Sequence, residues 1–292
     1  MSFKKPCNSD TFEEIYTMKK VLLAFDGKHF SEGAFEFARS INELNPVLLT
    51  GVFLPQVNYA NLWSYADGMN GPIFVPFVEG ENDEAAAANV ERFENLCKKN
   101  NTDYRVHKDL TDLALPGLRK ESRFADLLII GSESFYENLT PGEPNEYLKD
   151  AMHGMECPVI VVPEKYDFPK TNVLSYDASE SSVYAIKQFA YLFPELTSNN
   201  TLLVYASEKA ENEIPDMAYI EELAARHFPD LTITKLDINP KKHFSAWLSE
   251  MHTAIVISGS FGRSGLAGLF HKSFISEIIK DHRIPVFITH HK

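Results

Sequence analysis

The chain contains two copies of one pattern, and this internal repeat limits the folds open to it more than any other feature. Each copy opens with an apolar run that ends in aspartate, at residues 21–26 and again at 173–177. Each copy closes with an apolar run that ends in Gly-Ser, followed 27 or 26 residues after the glycine by a proline and a further apolar run. These glycine and proline pairs are Gly131 with Pro158 and Gly259 with Pro285. The repeat predicts a duplicated domain.

Helical and strand segments alternate through both copies. The strand segments are almost continuously apolar, which is typical of a parallel sheet with helices on both faces. We therefore predict an α/β fold of two tandem, doubly wound domains, each with a five-stranded parallel sheet. The predicted units are a flexible N-terminal extension at 1–17, a first domain at 18–165 and a second domain at 166–292. The first domain carries a long insertion at 56–83 that is rich in aromatic residues.

The composition is that of an ordinary globular protein, and it argues against several classes of partner. The formal charge of −13 at pH 7 repels nucleic acid. No apolar stretch reaches the roughly 18 to 20 residues that cross a bilayer. Residues 1–17 are polar and lack the apolar core of a secretory signal. We therefore expect a cytoplasmic protein with neither a membrane nor a nucleic-acid partner.

The sequence contains no pattern that is typical of catalysis or of metal binding. The cysteines, at positions 7, 97 and 157, have no C-x-x-C spacing. His282, His290 and His291 are close in sequence, but no second cluster accompanies them, so a solvated tail is favoured over a metal site. There is no nucleophile elbow and no carboxylate pair at catalytic spacing. We expect no catalytic residues and no metal site, which favours a non-enzymatic role.

The strongest functional signal is the loop that follows the last apolar run of the second copy. Gly259 and Gly262 begin this loop, and Lys272 and Ser273 stand at the start of the next predicted helix. Backbone N–H groups at a glycine turn and at a helix N-terminus bind anions, so the loop predicts a phosphate site. A second interpretation stays open, in which the glycines serve only the strand-to-helix turn and Ser273 is only an N-cap.

An aspartate follows the first strand of each copy, at the sheet edge where ligands of open α/β folds bind. In the second copy, Asp177 would face the same crevice as Gly259 and accept hydrogen bonds from a base or a ribose. In the alternative interpretation, Asp26 and Asp177 cap or turn the chain before the following helix. The sequence leaves both interpretations open.

Five segments together carry a resemblance to a known family. They are Ala24-Phe25-Asp26, Tyr176-Asp177, the loop 259–273, Cys157-Pro158-Val159 and Ile284-Pro285-Val286. Over residues 18–292 the chain resembles the universal stress protein family in its tandem form. The resemblance implies an adenine nucleotide alpha hydrolase-like, Rossmann-like fold. It also implies an internal pseudo-dimer in which residues 159–162 and 286–289 pair as antiparallel strands.

The resemblance further implies a nucleotide site in the second domain. Family members that bind nucleotides have the motif G-x-x-G, nine residues and then G-[ST], and Gly259, Gly262 and Ser273 match it. Lys272 replaces the third glycine, where its side chain either obstructs the backbone approach or supplies a cation to the phosphate. Val204 stands on the second strand, where the family contacts adenine through its backbone.

The first domain retains only part of the family pattern. Its equivalent positions are Asp26, Val52 and Gly131, whereas Asn145 and Glu146 stand in place of the final glycine and hydroxyl residue. Carboxylates around the expected pocket repel an anion. They belong to Glu133, Glu143 and Glu146. We therefore expect the first domain to have lost triphosphate binding.

The resemblance implies a non-catalytic stress-response protein that senses an adenine nucleotide in its second domain, with ATP and magnesium as the candidate ligand. One alternative is an enzyme that hydrolyses or adenylates through the same pocket. Another is an interaction scaffold without a ligand, which would use the aromatic insertion at 56–83 as its contact surface. The sequence does not specify a protein partner, and a homodimer stays open beside the internal pair.

Overall fold

The computed structural model describes most of both copies of the repeat. The described residues are 19–26, 28–54, 82–108, 114–133, 148, 154–207, 213–248, 250–259, 278–279, 281 and 283–289. Several sequence predictions concern residues outside this set. They are the extension 1–17, the insertion up to residue 81, and Gly262, Lys272, Ser273, Glu143, Asn145, Glu146, His282, His290 and His291.

The two copies form corresponding sets of strands and helices. In the first copy these are β1 (Lys19–Phe25), α1 (Glu32–Leu44), β2 (Val47–Phe53), α2 (Asn82–Lys99), β3 (Tyr104–Lys108), α3 (Ala114–Ser122), β4 (Leu127–Gly131) and β5 (Val159–Val162). In the second they are β6 (Thr171–Ser175), α4 (Glu180–Leu192), β7 (Asn200–Ala206), α5 (Met217–His227), β8 (Leu231–Leu236), α6 (Pro240–Leu248), β9 (Ala254–Gly259) and β10 (Val286–Thr289). Helix α2 begins at Asn82, so residues 82 and 83 of the predicted insertion belong to this helix.

The strands form one ten-stranded sheet with the order β3-β2-β1-β4-β5-β10-β9-β6-β7-β8. Each copy contributes five neighbouring strands, and all pairs within a copy are parallel. The order is the same in both copies when read outward from the joint. The predicted fold class of two five-stranded parallel sheets is therefore confirmed, whereas the domain boundaries stay a prediction.

The two copies meet through an antiparallel pair of edge strands. In this pair Val161 lies opposite Val286, and Ile160 lies opposite Phe287. The pairing satisfies the backbone groups of two strands that would otherwise be exposed sheet edges. It confirms the internal pseudo-dimer and the antiparallel contact between residues 159–162 and 286–289.

The sheet is covered on both faces by apolar side chains. One core contains alternate residues of β1, such as Leu23, and buried residues of α1, α2, α4 and α5. The other contains Leu22 and Ala24 of β1 together with Leu118 of α3 and Phe244 of α6. Alternation along the strands produces these two faces, because successive side chains point to opposite sides of a sheet. This explains why the strand sequences are apolar at nearly every position.

No described helix combines the length and the hydropathy that a membrane-spanning helix needs.

We predict that the joint between the copies depends on Phe287. Its ring is fully buried, 5.3 Å from the ring of Phe189 and 6.0 Å from that of Phe193. Phe287→Ala should lower the free energy of unfolding by about 3 to 5 kcal/mol, because it leaves a cavity at the centre of the sheet. Urea unfolding followed by circular dichroism measures this change. Tyr191→Ala, at an exposed position on α4, is the control and should stay within about 0.5 kcal/mol.

We also predict that the two buried thiols are unreactive in the folded protein. Burial raises the pKa of Cys97 and that of Cys157 from 9.0 to about 12. At about pH 8, N-ethylmaleimide should therefore label both residues only in denaturant, as peptide mass mapping would show. The folded thiols keep their protons to higher pH than the unfolded ones, so their contribution to stability is complete below pH 9.0 and is lost as the pH rises towards about 12. Rapid labelling of the native protein would contradict this.

Candidate functional site

Those residues singled out in the sequence that the structure describes lie at the carboxyl ends of the parallel strands. In the first copy, β1 pairs with β2 on one side and with β4 on the other. In the second copy, β6 occupies the same position between β7 and β9. The chain order reverses at these central strands, and the crevice outside such a switch point is where open α/β folds bind ligands. The candidate site is the crevice at the end of β6.

The strand registers place the described candidate residues of each copy in one group of three. Ser175 pairs with Val204, and the residue before it pairs with Ile257, so Asp177, Val204 and Gly259 come from three adjacent strand ends. In the first copy Ala24 pairs with both Val52 and Ile130. Asp26, Val52 and Gly131 therefore form the equivalent set. The remaining candidates of the second copy, Gly262, Lys272 and Ser273, lie outside the described residues.

Asp26 holds the loop that connects β1 to α1. Its carboxylate is buried, and Oδ1 accepts hydrogen bonds from the backbone N–H groups of Lys28 at 3.0 Å and of His29 at 2.7 Å. Oδ2 lies 2.8 Å from Nδ1 of His29. A buried carboxylate needs such donors, so these contacts have a structural role. They favour the turn interpretation of Asp26.

Asp177 holds the corresponding loop of the second copy and is more exposed to solvent than Asp26. Its Oδ1 accepts hydrogen bonds from the backbone N–H of Ser179 at 3.0 Å and from the Ser179 hydroxyl at 2.6 Å. Ser179 in turn is the N-cap of α4, where its hydroxyl oxygen accepts from the N–H of Ser182. Asp177 therefore orients the cap of α4. A contact with a ligand would come in addition to this role.

The two strand-end glycines allow the first turn of a helix to approach the sheet. A Cβ atom on Gly259 would lie 2.3 Å from the carbonyl carbon of Ser181 in α4. A Cβ atom on Gly131 would lie 2.4 Å from the hydroxyl of Ser31, the N-cap of α1. Neither position has room for a side chain. Both glycines are therefore required by helix packing, whether or not a phosphate binds nearby.

The two candidate valines are buried in the sheet face that α3 and α6 cover. Val52 and Val204 are both at most 2% exposed. The carbonyl of Val204 accepts a hydrogen bond from the N–H of Tyr176 at 3.0 Å. Because their side chains belong to the core, only the backbone of these residues could contact a ligand.

Carboxylates occupy the crevice region of the first copy beside Gly131. Glu164, which follows β5, accepts a hydrogen bond through Oε2 from the N–H of Gly33 in the first turn of α1, at 3.0 Å. The carboxylate of Glu133 accepts from the N–H of Glu164 at 2.9 Å and from the Ser132 hydroxyl at 2.7 Å. A helix N-terminus attracts anions, and here the protein supplies its own. This arrangement disfavours a phosphate in the first copy.

Sequence reasoning named Glu133 but missed Glu164 and His29. Glu164 lies 131 residues after Gly33, its hydrogen-bond partner, so no local pattern could reveal the contact. His29 lies three residues after Asp26, a spacing that could have suggested the pair. No group of three or more metal-binding side chains occurs within the part of the chain that the structure describes.

No protein-family model matches the sequence, and no curated protein matches it. Solved structures do match the chain over nearly its whole length. A universal stress protein from Archaeoglobus fulgidus DSM 4304 is 16% identical with a TM-score of 0.64, over 93% of this chain and 96% of that one. A candidate universal stress protein from Pseudomonas aeruginosa UCBPP-PA14 is 10% identical with a TM-score of 0.55, over 94% of each chain.

The chain therefore has the universal stress protein fold, and the resemblance seen in the sequence is confirmed for the fold. The alignments with both structures extend across the two copies of the repeat. TM-scores of 0.64 and 0.55 establish a common fold, and identities of 16% and 10% establish nothing about activity. The function must be argued from the crevice itself.

We predict that Gly259 is needed for stability independently of any ligand. Gly259→Ala should lower the free energy of unfolding by about 1 to 3 kcal/mol, because the added methyl group collides with the backbone of α4. Gly154→Ala is the matched control, since a Cβ atom there meets nothing within 4 Å. Thermal unfolding of the two variants without nucleotide measures the difference. Equal stability of the two would contradict the close approach of α4.

Proposed function

We propose that the chain is a tandem universal stress protein without catalytic activity, and that its second half senses an adenine nucleotide. The proposed units are residues 18–165 and 166–292. The proposed ligand is ATP with magnesium, held by Asp177, the backbone at Val204, Gly259, and the loop residues Gly262, Lys272 and Ser273. The site would lie at the switch point beside β6, where the fold class binds its ligands.

One difference between the copies carries this proposal. In the first copy, Glu133 and Glu164 place carboxylates beside the crevice and at the N-terminus of α1. Counting from the paired strand ends Gly131 and Gly259, Glu133 corresponds to Phe261. Counting from the last residues of β5 and β10, Glu164 corresponds to His291. The second copy thus has no acidic residue at either position.

The charge difference matters because a triphosphate is strongly anionic. A carboxylate at a helix N-terminus competes for the N–H groups that would bind phosphate, and it repels the phosphate electrostatically. The second copy has no acidic residue at the two corresponding positions, and Lys272 follows Gly262 in its loop. In this proposal the lysine supplies a cation to the phosphates. The first copy keeps the fold of the site without its ligand.

The proposal is tested by calorimetric titration of the protein with ATP and magnesium. We expect one site per chain. Asp177→Asn should weaken binding about tenfold or more, because a hydrogen bond to a charged group is lost. Asp26→Asn is the matched control and should leave the affinity within about twofold, because the first copy is proposed to bind no nucleotide. Equal losses in the two variants would contradict a site in the second half.

Two loop variants test the phosphate contacts. Gly262→Asp should abolish measurable binding, because it adds both a side chain and a negative charge. Lys272→Gly should weaken binding if the lysine supplies a cation. Binding that appears only in Lys272→Gly would contradict a functional site in the natural chain. Release of inorganic phosphate during the titration would contradict the non-catalytic role and favour the enzymatic alternative.

A further inference from the structure

A cavity of about 510 Å³ lies where the connection between β5 and β6 passes the second copy. Its lining residues come from three segments of the chain, within 165–167, 248–252 and 278–284. The first segment belongs to the connection, the second to the end of α6 and the turn after it, and the third precedes β10. The volume is within the range of small-molecule sites.

The cavity is at the opposite end of the second sheet from the proposed nucleotide site. His252, which lines the cavity, stands two residues before β9, and Gly259 is the last residue of that strand. The 6 residues of β9 separate the two ends by about 17 Å. The cavity is therefore a separate site.

The inner part of the cavity is apolar. Tyr166 closes the side that faces the first copy, and two contacts with α1 hold it there. Its hydroxyl donates a hydrogen bond to the carbonyl of Gly33 at 3.3 Å, and its ring centroid lies 5.9 Å from that of Phe37. This wall is thus in place without a ligand. The floor consists of side chains that belong to or pack against the core under α6: Leu248, Met251, Ile278 and Ile284.

The rim of the cavity is formed by exposed polar side chains. Lys165 and Arg283 are cations, Asp167 and Asp281 are carboxylates, and His252 stands beside them. Asp281 already has an interaction partner. Neither Lys165 nor Arg283 forms an ion pair with any residue that the structure describes. Two cations are thus available against one further carboxylate, that of Asp167, so the rim favours an anionic group.

The position of Arg283 is occupied by a carboxylate in the first copy. Counted from the proline before β5 or β10, Arg283 corresponds to Glu156. Glu156 accepts hydrogen bonds from Arg123 at 2.7 and 2.9 Å and from Arg119 at 3.4 Å. These ion pairs fasten the residues before β5 to the end of α3. An arginine cannot repeat them as the acceptor, and Glu250, the carboxylate in the turn after α6, does not line the cavity.

We propose that this cavity binds a small monocarboxylate with an apolar body. The carboxylate pairs with Arg283, because a planar guanidinium donates two parallel hydrogen bonds to such a group. Lys165 is the second cation at the rim. The apolar body of the ligand lies on the floor formed by Leu248, Met251, Ile278 and Ile284. The proposal does not depend on nucleotide binding.

The probe for a direct test is 3-phenylpropionate, followed by saturation-transfer NMR and calorimetry. It should bind saturably in the millimolar range or tighter, as a ligand of this size allows. Acetate has the carboxylate without the apolar body, and 3-phenylpropylamine has the body with the opposite charge. Each should bind at least about tenfold more weakly. Absence of saturable binding would overturn the proposal, and so would an affinity for acetate or for the amine equal to that for 3-phenylpropionate.

Arg283→Gln tests the contact with the carboxylate. It should weaken binding of 3-phenylpropionate about tenfold and leave that of the uncharged 3-phenylpropan-1-ol within about twofold, because only a charge-assisted pair is lost. Arg226→Gln, at an exposed position of α5 outside the cavity, removes the same charge and is the matched control. Equal losses in the two variants would contradict the assigned contact. ATP titration of Arg283→Gln should match that of the parent, which separates this test from the nucleotide proposal.

Met251→Trp tests the position of the apolar body. The larger side chain should fill part of the cavity and abolish binding of both the acid and the alcohol. Circular dichroism establishes whether the variant is folded. A folded Met251→Trp protein that binds 3-phenylpropionate as the parent does would refute the assigned floor. If this variant does not fold, the comparison of Arg283→Gln with Arg226→Gln still decides the proposal, because both substitutions are at exposed positions.

Discussion

The antiparallel pairing of β5 with β10 determines how the rest of the molecule is arranged. All strands within a copy are parallel, so this one antiparallel pair turns the second copy around relative to the first. The carboxyl ends of the first five strands therefore point to one edge of the ten-stranded sheet, and those of the second five point to the opposite edge. The two crevices therefore lie at opposite edges of the sheet.

The same pairing explains why the first crevice contains Glu164. Strand β5 ends at the carboxyl edge of the first copy, and β6 begins at the amino edge of the second, which is on the same side of the sheet. The connection between them, residues 163–170, can therefore be short. It must pass the start of α1, where Tyr166 and Phe168 pack against Phe37.

Local patterns in the sequence were sufficient to predict the strands and helices, because each type of element has its own period of apolar residues. The apolar run before Asp26 and the apolar run that ends at Gly131 identify β1 and β4. These two strands are neighbours in the first copy. The antiparallel joint needed the resemblance to a family as well, since nothing local distinguishes β5 from any other apolar edge strand. Contacts such as that between Gly33 and Glu164 could not be predicted, because they join residues that are close only in the folded chain.

Sequence patterns were also insufficient to decide the roles of single residues in the candidate site. Asp26 and Asp177 were open to two interpretations in the sequence, and the hydrogen bonds to Lys28, His29 and Ser179 now give both carboxylates a structural role. Such a role does not exclude ligand binding, but it removes the aspartates as evidence for it. A residue that the fold needs in both copies cannot distinguish the copy that binds a ligand from the one that does not.

The packing around Gly131 and Gly259 leads to the same conclusion, that residues required by the fold in both copies do not show which copy binds a ligand. Each allows a helix start to approach the sheet closely, so a glycine at this position is expected in either copy. The information about function must lie in the positions where the copies differ. One such difference is in charge. The first copy has Glu133 and Glu164, and the corresponding residues of the second copy are Phe261 and His291. This difference in charge is the reason for proposing the ligand site in the second copy and not in the first.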